Sequence, residues 1–213
     1  MTSTPIKIVL ASTSSRRKEI LALLGLPFQT VPPRFEEVLK AGRPASEEAR
    51  IFAEEKARSV EGDFPNSVVI GSDTLIECEG EKIGKPLDRA DAARILRRLR
   101  NREHRIWTAV SLIDTRDRSA ETAVESVRVR MNHISDAEIE AYASTSEPLD
   151  KAGAYSLQEK GRRFILRLEG DYLAAVGFPL RPIVDFLRRR GLSIPLDVDR
   201  LYREKNFLNW KSF

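Results

Sequence analysis

The segment KIVLASTSSRRKEILALLG, residues 7–25, decides the fold class of this chain. It begins with the apolar run Ile8-Val9-Leu10, which is typical of a buried strand. Four hydroxyl residues follow, and such side chains commonly cap the start of a helix. Apolar residues at helical spacing then continue to Gly25, a common helix terminator. A strand, a polar turn and a helix in this order favour an α/β fold.

Apolar patterns further along the chain predict more helices and strands. Helical periodicity predicts helices over residues 46–60, 88–99, 136–143 and 180–190. Apolar runs and alternation predict strands over residues 28–31, 67–78, 105–114, 122–131, 164–168 and 173–176, the second of them interrupted at residues 71–73. Ser135 and Glu138 form a capping-box pattern before the helix at 136–143. Because these elements are mixed along the chain, we expect a mixed β-sheet with flanking helices.

Length and composition limit the class of protein. With 213 residues, of which 41% are hydrophobic, the chain can form one buried α/β domain or two small lobes around a cleft. Cys78 is the only cysteine, which excludes an internal disulfide and indicates a reducing compartment. The N-terminal apolar run is too short for a signal peptide, and no run approaches the length of a membrane span. We therefore expect a soluble cytoplasmic protein with no membrane partner.

The charge distribution bears on nucleic-acid binding. The net charge is +4, and basic residues cluster at 94–105 and 188–190. Both clusters lie in amphipathic helical patterns, so solvated helix faces explain them better than a nucleic-acid surface. We do not expect a nucleic-acid partner, whereas an anionic small-molecule substrate fits this balance.

Arg16 and Arg17 stand at the start of the first predicted helix. Cations are unfavourable there, because they lie at the positive end of the helix dipole. A bound phosphate would reverse that penalty, and a guanidinium group matches phosphate oxygens well. A hydrated surface pair is the alternative, and the segment alone leaves both interpretations open.

Three further segments could carry chemistry, and each has an ordinary alternative. Asp73 could bind a metal or act as a general base, or it could be a turn aspartate. Lys85 follows Gly84 and could bind phosphate, although the spacing is not that of a Walker A loop. Gln158 could read a base edge by paired hydrogen bonds, or it could belong to a packed loop.

In their order and spacing, these segments resemble the Maf family of nucleoside triphosphate pyrophosphatases. The resemblance runs from about residue 6 to residue 190, and each motif is weak while the ordered set is specific. The matching segments are Ala11-Ser12, Arg16-Arg17, Glu36-Glu37, Glu54-Glu55-Lys56-Ala57, Ser72-Asp73-Thr74, Gly84-Lys85-Pro86, His104, Thr108-Ala109-Val110, EPLDKAGAY at 147–155, Gln158, Gly170-Asp171-Tyr172 and VGFPL at 176–180.

The resemblance implies an architecture and a set of site residues. Over residues 1–192 it implies one two-lobed domain with a deep cleft, whereas the tail over 193–213, in which Trp210 and Phe213 suggest docking, lies outside the resemblance. It implies a divalent cation, with magnesium expected, held by Glu37 and Asp73. Asp73 is also the implied catalytic proton acceptor. The residues implied to bind phosphate are Ser12, Arg16, Arg17, Lys56 and Lys85.

The resemblance also implies a substrate. At Arg16, Thr74 and Gln158 the chain is similar to the branch acting on dTTP and UTP. We therefore expect hydrolysis of these triphosphates to the monophosphate and pyrophosphate, a housekeeping step on the nucleotide pool. Two alternatives stay open: a pyrophosphatase for 7-methyl-GTP or another modified nucleotide, and a regulatory protein of cell division or nucleic-acid binding. The family is compatible with a homodimer, although no interface stripe is visible.

Several residues depart from the family pattern. Thr13 and Ser15 stand where the family usually has Gly and Pro, so the first turn is expected to differ slightly. Ser72 replaces a usual Ala before Asp73 and could add a hydrogen bond. Asn101 replaces a usual Gly, and Asn tolerates the left-handed conformation well.

Overall fold

The structure, a computed structural model, describes residues 6–213, and residue 208 by its main chain only. The strands of this range are β1 (Lys7–Ala11), β2 (Phe28–Val31), β3 (Ser67–Cys78), β4 (Glu81–Ile83), β5 (Glu103–Asp114), β6 (Ser119–Met131) and β7 (Ile165–Glu169). The helices are α1 (Ser15–Ala22), α2 (Ala45–Glu61), α3 (Arg89–Leu99), α4 (Asp136–Ala143), α5 (Tyr172–Val176), α6 (Leu180–Arg189) and α7 (Val198–Glu204). Short 3₁₀ turns lie at Ala152–Ala154, Lys160–Phe164 and Leu208–Ser212.

The strands form one seven-stranded mixed sheet within the described range, in the order β2-β1-β3-β5-β6-β7, with β4 paired to β3. Strand β1 pairs in parallel with β2 and with β3, so that Ile8 faces Phe28 on one side and Val68 on the other. The β3–β4 and β6–β7 pairs are antiparallel. Parallel neighbours need a crossover connection, which α1 and α2 supply. The predicted α/β class with a mixed sheet is confirmed.

The chain divides into two compact units. The first comprises the described residues up to Asp73, together with Thr108–Glu125 and Gly177–Val198. Its core includes a buried apolar cluster formed by Val9, Ala11, Ala57, Val60, Val69 and Ile113. Val31 and Phe64 pack against this cluster. Removing such surface from water is the main favourable contribution to folding.

The second unit comprises Thr74–Trp107, Ser126–Val176 and Asp199–Phe213. Helix α3 packs against α4, and Tyr142 meets Phe164 edge to face at 5.0 Å between ring centroids. Helix α4 begins with the predicted capping box, in which Ser135 and Glu138 each bond to the other's main-chain N–H. The last residues of the chain belong to this unit, and Trp210 is 5% exposed. The predicted docking of Trp210 is thereby confirmed.

Two predicted strand features are wrong. The strand at 67–78 has no interruption at Asp73, because Gly71-Ser72-Asp73 continues the extended backbone of β3. Residues 173–176 form part of α5 instead of a strand. Asp171 explains this helix, because its Oδ1 accepts hydrogen bonds from the main-chain N–H groups of Leu173 at 2.8 Å and Ala174 at 3.4 Å. An aspartate in that position caps a helix start.

Among residues 6–213, none of the helices combines the length and the apolar character that crossing a membrane requires.

Candidate active site

The turn between β1 and α1 holds Ser12 and Arg17 in place. Ser14 is the N-cap of α1 and accepts from the main-chain N–H of Arg17 at 3.4 Å. The Arg17 side chain donates through Nε to the Gly177 carbonyl at 3.0 Å and through Nη1 to Ser12 Oγ at 3.4 Å. Thr13 has no positive φ, so the turn forms without the conformation that a glycine would offer. Arg17 is therefore fixed by the protein, which a hydrated surface side chain would not be.

The electrostatic environment of Arg17 is unusual for a helix start. Burial lowers the pKa of its guanidinium, while Asp73 and Glu37 oppose that shift and Arg16 adds to it. An arginine stays protonated even so, because its ordinary pKa lies far above neutrality. Arg16, its neighbour, is half-buried. The first unit thus holds a fixed positive charge close to two carboxylates.

Lys56, from α2, lies between two carboxylates. Its Nζ is 2.5 Å from Asp73 Oδ1 and 2.5 Å from Glu37 Oε1. Lys56 and Asp73 are only 5% and 3% exposed, whereas the Glu37 side chain is 38% exposed. The family resemblance implied that Lys56 binds a triphosphate. The structure places its side chain against the two acids, and a phosphate contact stays a prediction.

Gly71 explains how α2 brings Lys56 to Asp73. A Cβ at Gly71 would lie 2.7 Å from the Ala57 nitrogen and nearer still to the Ala53 carbonyl oxygen. Real Cβ atoms do not come so close, so only glycine permits this approach of helix to strand. Gly71 is two residues before Asp73 in β3, and Ala57 is next to Lys56 in α2. The close approach therefore brings together the helix that carries Lys56 and the strand that carries Asp73.

The two carboxylate oxygens of Asp73 differ in their surroundings, because Oδ1 forms the ion pair with Lys56 and Oδ2 does not. Its Oδ2 is buried and has no hydrogen-bond partner among residues 6–213. Burial raises the pKa of the Asp73 carboxyl, Glu37 raises it further, and the cations Lys56 and Arg17 lower it. A buried carboxylate oxygen without a donor is costly, which makes Asp73 a candidate site residue.

Whether Asp73 and Glu37 suit a divalent cation can be tested on these atoms. The described residues contain no group of three His, Cys, Asp or Glu side chains able to hold a metal. Magnesium, however, is commonly bound by one or two carboxylates, with waters and substrate phosphates completing its shell. Asp73 Oδ2 offers a free oxygen of the right kind, and Glu37 supplies a second carboxylate. The donor set fits magnesium bound together with a phosphorylated substrate.

Ser72 and Gly177 connect the residues of the site by hydrogen bonds whose partners the sequence did not predict. Ser72 Oγ lies 2.8 Å from the Ala109 carbonyl oxygen and 3.2 Å from that of Gly177. The Gly177 carbonyl also accepts from Arg17, so one acceptor connects the helix start with the strand that carries Asp73. The hydrogen bond expected from Ser72 is confirmed. The shared carbonyl had no signal in the sequence, because a main-chain contact leaves no side-chain pattern.

The other predicted residues, Thr74, Lys85 and Gln158, belong to the second unit. Thr74 is half-buried and Lys85 is exposed. The carbonyl of Gly84 accepts from the Gly153 N–H at 3.0 Å, which ties the lysine loop to the 3₁₀ turn at Ala152–Ala154. Gln158 is half-buried, and its Nε2 is buried without a partner in the described part of the chain. A buried amide donor without an acceptor is uncommon in folded proteins.

A family model described as "Maf-like protein" matches residues 7–190. The chain belongs to the Maf family. The family membership predicted from the motifs is confirmed. The matched range contains Arg17, Lys56 and Asp73, and it also contains Gln158.

Named relatives cover most of this Maf chain. It is 40% identical over 189 residues to the dTTP/UTP pyrophosphatase of Dictyoglomus turgidum, a match that covers 88% of this chain and 98% of that relative. It is 43% identical over 187 residues to the dTTP/UTP pyrophosphatase of Bacillus velezensis, with the same two coverages. Among solved structures it is similar to a HAM1 protein from Coxiella burnetii, with 20% identity, a TM-score of 0.39 and coverage of 60% of this chain and 73% of that one. It is also similar to the Ham1 protein of Staphylococcus aureus, with 17% identity, a TM-score of 0.42 and coverage of 86% of this chain and 99% of that one.

Proposed function

We propose that this Maf protein is a nucleoside triphosphate pyrophosphatase that hydrolyses dTTP and UTP to the monophosphate and pyrophosphate. The observation that carries the proposal is the buried Asp73 beside Lys56 and Arg17: one carboxylate oxygen is paired with Lys56, and the other has no hydrogen-bond partner within residues 6–213. Relatives about 40% identical over most of the chain are named for this reaction. A proton acceptor set among fixed cations suits attack of water on an anionic phosphoryl group.

The proposed reaction breaks one phosphoanhydride bond. The water oxygen attacks the α-phosphorus, the bond from that phosphorus to the bridging oxygen breaks, and pyrophosphate leaves with the bonding electron pair. Asp73 Oδ2 accepts the water proton, and Lys56 keeps the carboxylate oriented through Oδ1. The charge that spreads over the phosphoryl oxygens is stabilised by Arg17 without further reorganisation, because its guanidinium is already fixed.

The remaining site residues are assigned by their chemistry. Ser12, Arg16 and Arg17 at the start of α1 are proposed to bind phosphate, as is the exposed Lys85. A divalent ion, with magnesium the proposed one, would be held by Asp73 and Glu37 and would neutralise phosphate charge.

Base selection is assigned to Gln158 and Thr74. The buried Nε2 of Gln158 lacks a partner among the described residues, and a pyrimidine carbonyl would provide one. A site built around such a bond rejects bases that leave it unpaired.

The test is pyrophosphate release from dTTP, UTP, CTP, GTP, ATP and 7-methyl-GTP with magnesium. We expect release from dTTP and UTP, and we expect Asp73→Asn to reduce it at least ~100-fold, the lower end of a general-base contribution. Asp63→Asn is the matched control, since Asp63 lies in the same unit and its carboxylate forms an exposed ion pair with Arg34 at 2.9 Å. Near-normal turnover of folded Asp73→Asn would refute its role.

The same panel decides between the alternatives. Release from 7-methyl-GTP alone would keep the reaction and overturn the pyrimidine assignment. No release from any nucleotide would favour a regulatory or nucleic-acid-binding role. The structure offers that role little support, because basic side chains of α3 are paired with acids: Arg97 with Asp136 and Glu140, and Arg98 with Glu81.

A further inference from the structure

We propose that the C-terminal segment, residues 199–213, positions Gln158 and thereby sharpens the choice of nucleobase; the inference rests on the proposed function. The matched family region ends at residue 190, so this segment lies outside it. The Dictyoglomus relative, 98% of which is covered, has very little chain left for an equivalent. The segment is therefore an addition of this chain to the family region.

The C-terminal segment reaches the main chain of Gln158 directly. Asn209 Nδ2 donates to the Gln158 carbonyl oxygen at 2.7 Å. On its other side, the Gln158 N–H donates to Ser156 Oγ at 3.1 Å. Both main-chain polar groups of Gln158 are thus held, one by its own loop and one by the C-terminal segment. Residues 156, 158 and 209 all belong to the second unit.

Aromatic contacts anchor the segment beside Asn209. Trp210 stacks on Tyr172, with 5.4 Å between centroids and 15° between planes, and meets Tyr202 edge to face at 4.9 Å. Tyr202 OH donates to Asp171 Oδ2 at 2.7 Å. These are the offset and edge geometries that aromatic pairs prefer. Asn209 therefore projects from a held segment, and its hydrogen bond can restrain Gln158.

A second anchor joins the chain end to the turn that follows Gln158. The Arg162 guanidinium lies over the Phe213 ring, 4.0 Å from its centroid, and it also donates to the Ser212 carbonyl. Arg162 belongs to the 3₁₀ turn Lys160–Phe164, whose first residue lies two positions after Gln158. The segment thus holds Gln158 at its carbonyl and the chain just after it.

Restraint of the main chain matters because an amide reads a base by direction. The carboxamide of glutamine has a donor and an acceptor in fixed relation, so turning it changes which base edge it matches. UTP presents a carbonyl where CTP presents an amino group, and a well-directed amide distinguishes them. A preformed direction also avoids an ordering cost on binding, which affects KM more than kcat.

Point variants separate this role from a general loss of stability. Asn209→Ala removes the donor, and Asn209→Asp keeps the shape but replaces the donor by an acceptor. Asn206→Ala is the matched control, because Asn206 lies in the same segment and its amide donates to Glu204 at 2.8 Å. None of these positions belongs to the proposed catalytic residues.

Two measurements are made on the full chain: kcat and KM for UTP and CTP, and amide hydrogen exchange of peptides covering residues 152–161. In both Asn209 variants we expect the UTP-over-CTP ratio of kcat/KM to fall about two- to ten-fold, the range of one neutral hydrogen bond. The fall should come from KM for UTP, with kcat changed by less than about two-fold. Exchange around Gln158 should rise in both Asn209 variants, and Asn206→Ala should match the wild type.

The outcomes separate this inference from the proposed function. An unchanged ratio in an active wild-type background, or an equal loss on both nucleotides, overturns the positioning role alone. Unchanged hydrogen exchange around Gln158 in Asn209→Ala overturns the contact itself. A wild-type protein that releases pyrophosphate from no nucleotide overturns the proposed function, and this inference with it.

Discussion

Asp73 shows how much the surroundings of one residue can decide. Its carboxylate, carried by β3, is buried; one oxygen pairs with Lys56, and the other has no partner among residues 6–213. The ion pair favours the charged form and burial opposes it, and burial is the larger effect. An aspartate in water would be a weak base, whereas this one accepts a proton more readily.

The acid side of the pH–rate profile should report the raised pKa of Asp73. The residue must be ionised to accept a proton, so activity is present above its pKa and is lost as pH falls through it. Because burial raises that pKa, we expect the acid limb of kcat/KM to lie above 3.8, the ordinary value for this group.

A variant of Lys56 provides the internal check on that profile. Lys56 lowers the pKa of Asp73, so Lys56→Met should move the acid limb to still higher pH. A limb that stays in place, or moves downward, in folded Lys56→Met would contradict the coupling between these two side chains.

Helix α2 and strand β3 show how two elements place the site together. Their contact at Gly71 is so close that no side chain fits, and this contact brings Lys56 to Asp73. The sequence predicted both elements nearly to their ends, because apolar periodicity and alternation are strong signals. It predicted a break at residues 71–73, because Gly, Ser and Asp are also turn residues. Only the packing of α2 shows that Gly71 serves close approach.

Gly71→Ala should therefore separate α2 from β3. The added Cβ would lie 3.0 Å from Ala57 Cβ and closer to main-chain atoms, so the helix has to shift. We expect about 1–3 kcal/mol of lost stability, the usual cost of overpacking a core. Activity should fall as well, because Lys56 moves away from Asp73. Urea unfolding and pyrophosphate release measure the two effects.

Gly62→Ala is the control for that variant. Gly62 ends α2 with an ordinary φ of −64°, and a Cβ there would meet nothing within 4 Å. Equal losses in the two variants would show that position 71 has no special packing role.

Over the whole molecule, what could be predicted depended on the kind of signal. The α/β class, the mixed sheet and the family followed from patterns and ordered motifs. Five of the predicted site residues, which are far apart in sequence, lie in the first unit: Ser12, Arg17, Glu37, Lys56 and Asp73. The parallel pairing of β1 with β3 is one contact that brings such distant segments together. The pairing of Lys56 with two acids could not be predicted, since it depends on the distance between a helix and a strand. Their roles, and those of Thr74, Lys85 and Gln158, stay predictions.

His104 should make the stability of the whole fold depend on pH. It is 2% exposed, its Nε2 lies 2.7 Å from Tyr155 OH, and burial lowers its pKa to about 4. The unfolded chain binds a proton on this side chain as pH falls through about 6.5, while the folded protein does not until about pH 4. The stability that the neutral His104 contributes is therefore fully present above about pH 6.5, and it is lost as pH falls from about 6.5 to about 4.

Urea unfolding at about pH 7 and about pH 5 measures this dependence. Between these two pH values, the free energy of unfolding should fall by about 2 kcal/mol more in the wild type than in His104→Gln. His133→Gln serves as the control, because His133 is exposed and is the other histidine of the chain. If His104→Gln shows the same pH dependence as the wild type, the buried neutral state of His104 is wrong.

The carbonyl of Gly177 leads to a different kind of conclusion. Arg17 and Ser72 both donate to it, yet it belongs to the main chain, so no substitution at position 177 can delete it. Alanine at position 177 would keep this carbonyl, but Gly177 has a φ of 108°, a conformation that L side chains rarely adopt. A loss of activity in Gly177→Ala would therefore report backbone strain and would not measure the hydrogen bonds from Arg17 and Ser72. Sensitivity of this position to substitution and the contribution of its carbonyl are two separate quantities.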